Sequence, residues 1–221
     1  MRYETFTNGE YYHIYNRGVD RRTTFRNDGD YRRFLESLRV FNTTQDAGAP
    51  VSFHRRCQRS YPFEDQLVRV HEFSLMPNHF HLLLQQIKEG GISQFLQRLG
   101  TSYTKFFNND EDRSGSLFES TFKAKRIDSY AYLLHITRYI HLNLLSLLGI
   151  DWKSDGVIDT KIALDFLSNS PWSSFHFYYN KIQTSLLDLS LLQNLFASPD
   201  DHAAFVFEYQ PSATDENIDF L

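Results

Sequence analysis

The chain has 221 residues, 41% of them hydrophobic and 16% aromatic, which excludes a disordered protein and allows a substantial core. No apolar run approaches the roughly 20 residues a membrane helix requires, and the opening MRYETFTNGEYYHIYNRG has no apolar signal core, so a cytoplasmic protein is expected. Cys57 is the single cysteine, so intramolecular disulfides and thiolate clusters are excluded and any metal must be held by His, Asp, Glu or amide oxygen.

In chain order, YYHIYNR (11–17) is rich in β-forming residues and reads as a strand. Asp28 or Asp30 then caps a helix through about Phe41, with Tyr31, Phe34, Leu35 and Leu38 at helical spacing. NTTQDAGAP (42–50) is a loop, and the chain to Asp65 is irregular by composition. QLVRVHEFSLM (66–76) alternates as a strand, Pro77-Asn78 turns the chain, and HFHLLLQQ (79–86) returns antiparallel. ISQFLQRLGTSYTKFF (92–107) reads as a helix with Phe95, Leu99, Tyr103 and Phe106 on one stripe. SLFESTFKAKRI (116–127) is a further strand, and Asp128 or Ser129 caps a long helix that stops at Gly149.

The order strand–helix–strand–strand–helix–strand predicts an α+β, ferredoxin-like antiparallel sheet with helices on one face. Residues 1–149 are expected to form the main domain. Residues 150–221, with short helices or strands around IALDFL, PWSSFHFYY, LLDLSLLQNLF and HAAFVFEY, form an appendage packing on it, and PSATDENIDFL is expected to fray. The net charge of −4 hides an asymmetry. Residues 1–150 carry 20 Lys and Arg against 16 Asp and Glu, while residues 151–221 carry 3 against 11. Arginines at 17, 21, 22 and 26, again at 55, 56 and 59, and Lys123, Lys125 and Arg126 stand among Tyr and Phe. That mixture suits phosphate contact with base stacking, or equally a solvated face.

Side chains i and i+2 of a strand project side by side at about 6–7 Å, so His79 and His81 share one face while Phe80 and Leu82 take the other. The pair is either a metal couple or polar filling on an open sheet face. On the long helix, His135, Tyr139 and Asn143 form a polar row at i, i+4 spacing beside Leu133, Ile136, Ile140 and Leu144. His141, about 200° around from Tyr139, points elsewhere and has no assigned role. If the helix packs near the histidine strand, a divalent ion there would polarise a phosphate for attack by the Tyr139 hydroxyl, otherwise a poor nucleophile at neutral pH. The product would be a phosphotyrosine ester that conserves the phosphodiester energy.

HFH within MPNHFHLLL resembles the two-histidine HUH motif of single-strand-specific DNA endonucleases and transposases, and RYIHLN (138–143) resembles the tyrosine helix of the insertion-sequence-200-like single-tyrosine transposases. YHIYNRG, FRNDGDYRRFL, RSGSLFESTFKAK and PWSSF resemble pieces of their REP-associated subgroup, so the resemblance spans roughly residues 10–180. It implies His79, His81 and Asn143 as ligands of Mg²⁺ or Mn²⁺ and Tyr139 as the nucleophile. The implied substrate is single-stranded DNA with hairpin or repeat elements, joined at its 5′ phosphate with release of a 3′ hydroxyl. Arg17, Arg21, Arg22, Lys123 and Lys125 are the expected phosphate contacts. A monomer is favoured over a homodimer. The family commonly has proline after the asparagine, whereas this chain has Leu144, which lets the helix run on. Two other functions remain in view: a domesticated DNA-binding regulator without catalysis, and a metal-dependent hydrolase that does not use Tyr139.

Overall fold

The computed structural model describes residues 5–45 and 52–210. Strands β1 (Tyr11–Arg17), β2 (Val68–Met76), β3 (His79–Gln86) and β4 (Lys123–Arg126) form one antiparallel sheet in the order β2-β3-β1-β4. Helices α1 (Asp28–Phe41), a short α2 (Phe53–Cys57), α3 (Gly91–Asp110) and α4 (Tyr130–Leu142) connect and follow them. This is the expected ferredoxin-like α+β arrangement.

Strand alternation divides the core in two. Tyr12, Ile14, Phe73, Leu75, Phe80, Leu82 and Leu84 pack with Phe34, Leu38, Phe95, Leu99 and Tyr103 of α1 and α3. Each such fully buried side chain contributes roughly 1.5–3 kcal/mol. The opposite face is covered as well, an addition to the sequence expectation of helices on one side. Leu83 and Met76 meet Ile136 and Ile140 of α4 there, together with apolar residues of the C-terminal helices. These helices are α5 (Trp152–Asp155), α6 (Thr160–Asn169), α7 (Ser174–Tyr179), α8 (Ser190–Leu195) and α9 (Pro199–Phe207).

Local corrections have physical causes. Asn27, rather than Asp28 or Asp30, caps α1 by accepting from the Gly29 and Asp30 amides, because the Asp30 carboxylate is engaged by Arg26 at 2.7 Å. Strand β4 is shorter than expected, and the chain before it joins the sheet through a bridge between Gly18 and Phe118. The stretch read as irregular contains α2, capped by Ser52. Ser129 caps α4 as expected, after which the chain tightens into a 3-10 helix over Asn143–Leu148 and ends at Gly149, whose φ is 74°. Much of the 42–50 loop and all of PSATDENIDFL lie outside the described residues.

A bulge in β2 sets up the second face. Val70 faces Leu84 across the pair and Glu72 faces Leu83, leaving His71 as the extra residue. Glu72 is thereby turned from the side of Val70 toward α4. The outer edge of β2 is covered by the C-terminal segment. Leu75 N–H donates to Trp172 O and Asp188 N–H to Val70 O, each at 2.9 Å, and Phe73 N–H donates to Ser174 Oγ at 2.9 Å. No helix among the described residues is long and apolar enough to cross a membrane.

Candidate active site

The α4 face of the sheet collects the predicted residues. In register, Tyr15 lies opposite His81 and Arg17 opposite His79, while Lys123 lies opposite Tyr15 and Lys125 opposite His13. Alternation puts all these side chains on one surface. The His79 and His81 rings lie 5.1 Å apart at 88°. Tyr139 reaches His81 from α4, its ring 5.3 Å away and edge-on at 80°. His135 stands one turn before Tyr139 with ring centroids 6.2 Å apart.

Each histidine of the pair is engaged through Nδ1. His79 Nδ1 lies 2.6 Å from Asn78 Oδ1, and His81 Nδ1 lies 2.9 Å from His13 Nε2. With protons on both Nδ1 atoms, each Nε2 presents a lone pair, the tautomer a metal requires. His81 Nε2 is buried and has no hydrogen-bond partner. Burial pushes the His79 and His13 imidazoles down to about 3 and that of His81 well below the usual range, with smaller contributions from nearby positive groups including Arg17 and Lys153 at His79 and His81. All three rings are therefore neutral near neutral pH. Asn143 follows Tyr139 by one turn, and its amide Nδ2 is buried without a partner, although no hydrogen bond joins it to either histidine. Among the described residues no group of three or more His, Cys, Asp or Glu could hold a metal, so any ion here rests on the imidazole pair and neutral oxygen.

Basic side chains stand around this centre. Arg17 has a buried Nε with no partner. The Gly18–Arg22 turn is held against the Pro77-Asn78 turn by Gly18 N–H donating to Asn78 O at 2.8 Å and Asn78 Nδ2 donating to Arg21 O at 3.3 Å. Arg21 and Arg22 thus stand at the end of the sheet that carries His79. Lys123 and Lys125 lie along the β4 edge, with Nζ 5.7 Å from the Tyr15 ring and 4.4 Å from the Tyr132 ring. Arg26 is used otherwise, bonded to Asp30, Asp110 and Glu111.

Residues 60–143 match the family described as "Transposase IS200 like". The matched segment contains the histidine pair, Lys123, Lys125 and Tyr139, and it ends at Asn143. Arg17, Arg21, Arg22 and His13 precede it. A solved structure titled "Structure of the REP associates tyrosine transposase bound to a REP hairpin" aligns with 86% of this chain and 92% of its own, at 12% identity and a TM-score of 0.49. No curated protein matches the chain.

Some members of the candidate site were missed by sequence reasoning. His13 carries a signal in hindsight, standing two residues before Tyr15 on an alternating strand, but its partner depends on the β1–β3 register. Asn78 belongs to MPNHFH, where it reads only as a turn residue. Trp152, buried with its ring 5.7 Å from Tyr139, and the neighbouring Lys153 carry no local signal. His141 points away from Tyr139 as expected. It is nevertheless fully buried, with Nε2 3.4 Å from Glu72 Oε2 and Nδ1 3.3 Å from Ser173 Oγ.

Proposed function

We propose that the protein is a DNA transposase that cuts and rejoins single-stranded DNA through a 5′-phosphotyrosine link at Tyr139, acting at hairpin or repeat sequences. The observation that carries this reading is the convergence of Tyr139, edge-on at 5.3 Å, upon His81, within a segment that matches the IS200-like transposases. A divalent ion, Mg²⁺ or Mn²⁺, suits the donors: the Nε2 atoms of His79 and His81 and the side-chain amide oxygen of Asn143 would hold it. When bound, it would polarise the scissile phosphate and stabilise the charge developing there. Because the proposed donors are all neutral, none offsets the ion's charge toward the phosphate.

The protein's own groups perform the rest. The Tyr139 hydroxyl oxygen forms a bond to phosphorus as the bond from phosphorus to the 3′ oxygen breaks. The phenolic proton passes to solvent, and the 3′ oxygen takes one up to become a hydroxyl. One ester replaces another, so attack by a 3′ hydroxyl reverses the step without a nucleotide cofactor. Arg17, Arg21 and Arg22 at one end, with Lys123 and Lys125 along the edge, hold the DNA backbone. Tyr139 meets His81 of its own chain, so a monomer suffices.

Incubation with Mg²⁺ and hairpin-bearing single-stranded DNA should give an adduct that survives denaturation and carries the 5′-phosphate fragment. Tyr139→Phe should abolish it, and cleavage that persists in this variant would place the nucleophile elsewhere. His81→Ala should abolish it too, and unaltered metal dependence would remove the histidines from the site. One observation favours a second reading, a DNA-binding regulator that does not cut: Tyr139 is only 4% exposed and His81 is 0% exposed. Tight binding with no adduct across several metals and repeat sequences would select that reading.

A further inference from the structure

We propose that Lys153 is a catalytic residue whose ammonium group holds a non-bridging oxygen of the scissile phosphate beside Tyr139, so that the acidic C-terminal segment completes the site. The proposal rests on Tyr139 being the nucleophile. Helix α5 is a single turn begun by Asp151, whose side chain accepts from the Ser154 amide. Its position is fixed by Trp152, which is buried between Tyr139 at 5.7 Å and Tyr209 at 5.3 Å, both edge-on. That anchor leaves Lys153 exposed at the surface with its Nζ 5.5 Å from the Tyr139 ring centroid. Residues 151–221 carry only 3 basic side chains against 11 acidic ones, and one of the 3 stands over the proposed nucleophile.

Arg17 on β1 lies opposite His79 and Lys153 on α5 stands over Tyr139, so cations from opposite ends of the chain border the same site. In phosphoryl transfer negative charge spreads over the non-bridging oxygens, and cations already in place are the main protein contribution. A lysine provides a compact point charge on a flexible stem, able to follow the phosphate as it moves from the 3′ oxygen to the phenol.

The test uses the full chain with saturating hairpin DNA and Mg²⁺, following adduct formation in a single turnover. Affinity is measured separately in a Tyr139→Phe background, where no cutting occurs. Lys153→Ala should slow adduct formation at least about tenfold, with melting temperature unchanged and affinity within about threefold. Lys153→Arg should recover part of the rate, and added ethylammonium should partly rescue the alanine variant. A wild-type rate in Lys153→Ala overturns the proposal while leaving the Tyr139 reading intact. So does a rate loss that neither arginine nor the amine restores, or one that saturating DNA removes. A wild-type protein that forms no adduct overturns both.

Discussion

Glu72 places a titratable carboxyl under the helix that carries Tyr139. Thr137 Oγ1 donates to its Oε1 at 2.8 Å, and no part of the residue is exposed. Burial pushes the carboxyl from 4.5 up to about 8, against a smaller opposing effect of the Thr137 hydrogen bond. Since the folded value lies above the unfolded one, the folded state holds more protons between these limits. The associated stability is fully present below about pH 4.5 and is lost as pH rises toward 8. A shift of about 3.5 units at 1.36 kcal/mol each amounts to about 5 kcal/mol, comparable with the whole stability of many domains. Glu72→Gln keeps the shape and an acceptor for Thr137 but does not titrate. Urea denaturation of both proteins at about pH 5 and pH 8 should show wild-type stability falling relative to the variant by about 3–4 kcal/mol. The buried His13 and His202, both held near 3, act in the opposite sense, their stability being lost as pH falls below about 6.5. They are common to both proteins and cancel in the difference. A difference that stays constant to within about 1 kcal/mol over this range would refute the assignment of a proton to Glu72.

Other tests address the site and its frame. His13→Leu removes the group that engages His81 Nδ1 and should weaken Mn²⁺ binding, read by calorimetry, by about 10- to 100-fold; unchanged affinity would show that His81 needs no such partner. Arg17→Gln, Lys123→Gln and Lys125→Gln should each lower the slope of log affinity for single strands against log salt by about 0.7. A residue whose replacement leaves that slope unaltered makes no phosphate contact. Gly91→Ala would bring a Cβ to 2.4 Å from the Leu67 carbonyl oxygen, and a loss of about 1–3 kcal/mol in urea denaturation is expected.

Much of this was legible because the signals are local. Period-two alternation in HFHLLLQQ put His79 and His81 on one face and Phe80 and Leu82 on the other, as found. The i, i+4 row on α4 brought His135 beside Tyr139, and Ser129 and Gly149 marked where the helical run starts and stops. The illegible parts depend on distant residues. The bulge at His71 interrupts a stretch that reads as plain alternation, so the orientation of Glu72 follows only from its pairing with Leu83. His13 meets His81 because of a register fixed across 68 residues of chain. Lys153 lies over Tyr139 because Trp152 finds a place in the core, which no spacing rule encodes.

The way β2 is bordered bears on how the chain could be divided. Leu75 N–H and the Val70 carbonyl find their partners in Trp172 and Asp188, and His141 packs against the ring of His202 at 5.1 Å. A fragment stopping at Gly149 would retain every residue expected to touch the ion or attack the phosphate, yet it would open a strand border and wet a buried acid. Such a truncation should aggregate, and moving residues 1–149 onto another protein would require carrying the acidic segment along.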